Sequence, residues 1–92
     1  MNKEHILDTA YKIAQRDGFA AITRDGVAAE AGVAMGTVNT HFGVMGNLRD
    51  AVMQRAVEEE QLELIAQGIA IGDTVANAAP LALRKRALTT LL

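Results

Sequence analysis

No cysteine, tryptophan or serine occurs in this chain, and its aromatic side chains are limited to two Phe and one Tyr. The missing cysteine removes disulfides, cysteine-based metal sites and thiol nucleophiles, and fits a reducing, cytoplasmic setting. Without serine there is no serine nucleophile either. No His pair stands at i, i+4 and no glycine loop could cradle a phosphate, so the chain does not read as an enzyme. His5 has no partner at metal or catalytic spacing and reads as a surface residue; no metal and no cofactor is expected. No apolar run is long enough to cross a bilayer, and Met1-Asn2-Lys3-Glu4-His5 leads into an amphipathic pattern in place of a signal peptide. No membrane partner is expected.

Half of the 92 residues are hydrophobic, but they are mostly Ala, Val, Leu and Ile. Such side chains pack helices closely while burying little area each, so a lone copy should be marginally stable and oligomerisation is a common remedy. The net charge is −2. Up to Asp50 the bases Lys3, Lys12, Arg16, Arg24 and Arg49 are matched by Glu4, Asp8, Asp17, Asp25, Glu30 and Asp50. A surface for nucleic acid would therefore have to be a locally sorted patch.

Periodicity predicts an all-α chain of five or six helices. Ile6, Ala10, Ile13 and Ala14 mark one face of a first helix, with Asn2 as cap, Arg16 near its end and Gly18 as a left-handed C-terminal cap before Phe19. Thr23 caps a second helix over about Arg24 to Ala31, stopped by Gly32, with Val27, Ala28 and Ala31 inward. Gly26 in its interior costs roughly 1 kcal/mol against Ala. A third helix runs from Ala34 or Met35 through His41, anchored by Val38 and Phe42. Asn47 caps a fourth helix that starts near Leu48 and ends, or breaks, between Gly68 and Gly72. Asp73-Thr74 suits a short turn, and Pro80 the first turn of a last helix, Leu81 to about Leu92, with Leu81, Leu88, Leu91 and Leu92 available for packing.

The second and third helices, joined at Ala31-Gly32-Val33, have the form of a helix-turn-helix, whose second helix lies in a DNA major groove. The elements Ile6-Leu7-Asp8-Thr9-Ala10, Gly18-Phe19, Val27 through Val33, Gly36-Thr37-Val38, His41-Phe42 and Leu48 follow in order at fixed spacing. In these the chain resembles the N-terminal domain of TetR-type transcriptional regulators, a three-helix DNA-binding unit followed by a long connecting helix. The resemblance implies a helix-turn-helix DNA-binding domain at residues 1–47. Family members continue into a large helical domain that binds an inducer and forms the dimer; here a short helical extension, residues 48–92, stands in its place.

The resemblance makes Thr37, Asn39 and Thr40 base-reading candidates and His41 a phosphate contact. The residues themselves add Thr23 and Arg24, at a helix start where free N–H groups favour a phosphate, and Met35, pointing groovewards when Val38 and Phe42 point inward. Gly36 permits close approach of a neighbouring helix or of the DNA backbone. Three positions depart from the family pattern: Met35 and Met45 replace basic residues and Asn39 an aromatic, which weakens the electrostatic grip.

The expected function is sequence-specific regulation of transcription by a homodimer on a palindromic site in double-stranded DNA, with no small-molecule ligand. The last two helices would supply the dimer surface. The alternative is a protein-interaction module on the same scaffold with weak or no DNA binding. Glu58-Glu59-Glu60 reads as a solvated helix face. Arg84-Lys85-Arg86 reads as the exposed side of the last helix, with DNA phosphates or the glutamates of a second copy as its other possible partners.

Overall fold

The computed structural model describes residues 2–92 and divides into two compact units, one ending at Val52 and one running Met53–Leu92. All regular structure among the described residues is helical: α1 Lys3–Asp17, a 3-10 turn Phe19–Ala21, α2 Arg24–Ala31, α3 Met35–Phe42, α4 Met45–Glu58, α5 Leu62–Ala70, α6 Thr74–Asn77 and α7 Leu81–Thr89. The all-α class is as expected, with more helices than the pattern suggested. The unit boundary falls inside α4.

In the first unit the Asn2 side chain accepts the His5 N–H at 2.9 Å and starts α1. Its apolar stripe buries Ile6, Ala10, Ile13 and Ala14 against α2, the 3-10 turn and α3. Gly18 ends the helix at φ 104°, ψ 157°, open to glycine but extended, and not the left-handed cap expected. The reversal drops Phe19 and Ile22 into the core, each worth roughly 2–3 kcal/mol of burial.

Thr23 caps α2 as expected, accepting the Gly26 N–H at 3.1 Å. The same contact accounts for the glycine: a Cβ on Gly26 would lie 2.9 Å from the Thr23 hydroxyl oxygen. Gly32 closes α2 in the left-handed region, φ 72° and ψ 33°. The Val33 N–H reaches the Ala28 carbonyl and the Gly32 N–H that of Ala29, the paired bonds of a Schellman ending.

His5, expected on the surface, is half-buried, and its Nε2–H donates to the Ala31 carbonyl at 3.0 Å. It thus satisfies a C-terminal carbonyl of α2 from α1. Asn47, expected to cap α4, lies inside that helix, which begins two residues earlier. Its amide donates backwards to the Phe42 carbonyl at 2.8 Å, closing the end of α3.

The predicted continuous helix from Leu48 to Gly68 is interrupted. The chain leaves α4 at Glu60, φ 53°, with bonds from Gln61 N–H to the Ala56 carbonyl and from Glu60 N–H to that of Val57. This is again a Schellman ending, with glutamate where glycine is usual, so periodicity alone could not mark it. The three glutamates are exposed but only Glu58 belongs to the helix; Glu59 pairs with Arg55 and Glu60 with Arg86 of the same chain at 2.6 Å.

In the second unit α5 packs on α6 and α7. Gly68, expected as punctuation, is buried within α5: a Cβ there would lie 2.5 Å from Met53 Cε and 2.7 Å from Ala76 Cβ. The last helix ends at Thr89, not near Leu92. Its buried residues are Leu83 and Ala87, while Leu81 and Leu88 stay exposed, as do Leu91 and Leu92 beyond its end.

Two stability changes follow. Gly68→Ala should lower unfolding free energy by about 1–3 kcal/mol in urea titration, because overpacking outweighs alanine's helix advantage of about 1 kcal/mol; a gain would contradict the packing. Glu60→Gly should raise it by about 1 kcal/mol, relief of the left-handed strain exceeding the small worth of an exposed ion pair. An unchanged midpoint would show that Glu60 bears no such strain.

Candidate nucleic-acid interface

The third helix owes its orientation to two side chains. Val38 and Phe42 are its buried residues, one turn apart. At about 100° per residue, the line opposite them runs through Gly36 and Thr40, with Thr37 on one flank and Asn39 on the other. Gly36, Asn39 and Thr40 are exposed, Thr37 and His41 are half-buried, and Met35 at the start of the helix is 49% exposed. The structure thereby gathers Gly36, Thr37, Asn39 and Thr40 on the outward side of one eight-residue helix, with His41 at its edge. Met35, seven residues before Phe42, lies on the Phe42 side and not outward as expected; it is exposed because it begins the helix.

Their hydrogen-bonding states differ. The Thr40 hydroxyl donates to the Gly36 carbonyl at 2.9 Å, so its proton is committed and it presents a methyl group and an accepting oxygen. Nothing lies within 4 Å of a Cβ built on Gly36, so no neighbouring helix uses that notch and the backbone is open to an incoming group. Ala34 provides no side-chain cap, which leaves the positive end of α3 open as well.

Thr23 and Arg24 stand at the start of α2. Thr23 is exposed, with its oxygen engaged in the cap, and Arg24 is half-buried, its Nε buried without a partner. Asp25 in the same first turn opposes an anion there. Arg49 was not among the residues singled out from the sequence, since it lies on α4, far along the chain. Its guanidinium donates to the Ile22 carbonyl at 3.2 Å, which brings a second cation to the residue just before Thr23. Lys3 was also passed over; its ammonium sits 5.0 Å above the Phe42 ring, beside the end of α3.

Arg16 is engaged elsewhere. Arg16 bonds to Asp17 at 2.7 Å and to Glu30, and these carboxylates, Asp17 foremost, push its pKa further above its ordinary value. The same hydrogen bond holds the Asp17 carboxyl below the usual carboxylate range. No group of three or more His, Asp or Glu side chains suited to a metal occurs among the described residues. No helix there is long and apolar enough to cross a membrane. The second unit bears an open groove of about 410 Å³, lined by Val57, Glu58, Val75, Ala79 and Pro80 among others.

Two short helices in contact across a left-handed glycine turn, the second with a polar open face, define a helix-turn-helix DNA-binding unit. Residues 6–52, just over half of the chain, match the family described as bacterial regulatory proteins, tetR family. The chain belongs to that family, and it is a DNA-binding regulator of transcription. No curated protein and no solved structure matches it.

With Arg24 and Arg49 the cations at the start of α2, replacing either with Ala should weaken DNA binding by a similar factor on every sequence. It should also reduce the slope of log K against log salt by about 1. Filter binding across a salt series checks this; an unaltered slope in both variants would remove them from the interface.

Proposed function

We propose that the protein is a sequence-specific regulator that binds a palindromic site in double-stranded DNA as a homodimer, each copy placing α3 in the major groove. Residues 1–47 carry recognition and residues 48–92 the dimer surface. One observation carries the reading: the α3 face turned away from Val38 and Phe42 offers Gly36, Thr37, Asn39 and Thr40 to solvent without a covering element in the first unit. Asn39 and Thr37 would contact base edges, Thr40 would set its methyl group in the groove, and Thr23, Arg24 and His41 would meet the backbone.

Dimerisation is supported by α7. Leu81 and Leu88, 56% and 41% exposed, lie on the side opposite buried Leu83 and Ala87, with Lys85 between them. A two-fold pair would set half-sites about one helical turn, roughly 34–36 Å, apart. Regulation proceeds without a small-molecule inducer in this reading. The protein acts in the cytoplasm on DNA, without catalysis.

A second reading has its own observation: α3 carries no Lys or Arg, and Met35 exposes apolar surface at its start. A protein partner would fit such a face, with little or no DNA binding. Gel shift on the DNA upstream of the coding sequence separates the two. The regulator should give a specific shift that Asn39→Ala weakens by about 1–3 kcal/mol and Thr37→Ala by less. Sedimentation should show a dimer that Leu88→Glu splits. Absence of any specific shift, together with a stoichiometric protein partner retained at high salt, would establish the interaction module instead.

A further inference from the structure

We infer that the half-site read by α3 is composed of A·T pairs, and that no guanine in it is recognised by this helix. The inference rests on the DNA-reading role proposed above and specifies its substrate. In the major groove guanine presents two adjacent acceptors, N7 and O6, which call for two donors side by side on Arg or Lys. The helix has neither. The nearby cations all lie off α3: Arg24 at the start of α2 with its Nε buried, Arg49 bonded to the Ile22 carbonyl just before it, and Lys3 over the Phe42 ring. In this reading they serve phosphates and not base edges, while Arg16 is held by Asp17 and Glu30. Cytosine offers an amino donor best met by a carboxylate, and α3 has no acidic residue either.

The groups that are present match the other two bases. Adenine shows an acceptor, N7, beside a donor, N6, and the Asn39 amide carries the complementary pair on an exposed side chain. Thymine shows a methyl group. Thr40, its proton given to the Gly36 carbonyl, cannot donate to guanine and keeps a methyl to set against it. The Thr37 methyl on one flank extends the apolar surface. The absence of cations that thins the phosphate grip is thus also what sets base preference.

Selection of bound duplexes from a random-sequence library by the full chain tests this. The enriched half-site should hold its fixed positions as A·T, and Asn39→Ala should lose preference at one adenine while retaining the others. Within the selected site, deoxyuridine in place of a contacted thymidine removes only the methyl and should weaken binding about fourfold. Replacing the contacted adenine by 7-deazaadenine should cost about tenfold in the native protein and little further in Asn39→Ala. These two arms separate groove contacts from a shape preference for A·T-rich DNA. Fixed guanines in the half-site, or indifference to both analogues, would overturn the inference while leaving DNA reading intact. Failure to enrich any sequence would overturn the DNA-reading role itself.

Discussion

Val38 and Phe42 hold the arrangement together. An eight-residue helix cannot maintain itself in water, since helices this short depend on packing for their stability. These two side chains, one turn apart, are what α3 contributes to the core, and they set its rotation about its own axis. Everything outside follows from that setting: which residues form the outward line, which flank it, and that the line begins with a glycine over open space. The surrounding caps serve the same end. Gly32 stops α2 early enough for the chain to turn, and the Asn47 amide closes the far end of α3.

The electrostatics are those of a frugal interface. In an acidic chain Arg24, Arg49 and Lys3 lie where α2 begins and α3 ends, while Arg16 is neutralised by its own neighbours. Each phosphate contact contributes to affinity mainly by releasing counterions, so few contacts mean modest attraction and a shallow dependence on salt. In the proposed reading, discrimination falls to short-range hydrogen bonds and methyl contacts, which cannot reach a wrong sequence from a distance. A second copy, linked by exposed leucines on α7, would multiply such weak contacts without adding charge.

Much of the first unit was legible along the chain because its signals are local. Asn2, Thr23 and Gly32 act within a few residues of themselves, and the spacing of Val38 and Phe42 announces the buried side of α3 directly. The second unit was harder. Glu60 ends a helix in a conformation that glutamate does not advertise, and Gly68, which looks like a breaker, is a packing glycine beneath Met53 and Ala76. His5 and Asn47 misled for a related reason. Each serves a carbonyl on another helix, His5 that of Ala31, far along the chain, and Asn47 that of Phe42 in the helix before its own.

By itself the sequence determined the helical class, the helix-turn-helix and the polar residues of its second helix, because caps, turns and 3.6-residue periodicity act over a few residues. Only the tertiary structure decided how those residues are equipped. It left the Gly36 notch open and brought Arg49 to Ile22 and Lys3 to Phe42 across long stretches of chain. Such pairings depend on where helices meet in space, and no spacing along the chain encodes the distance between two side chains on different helices.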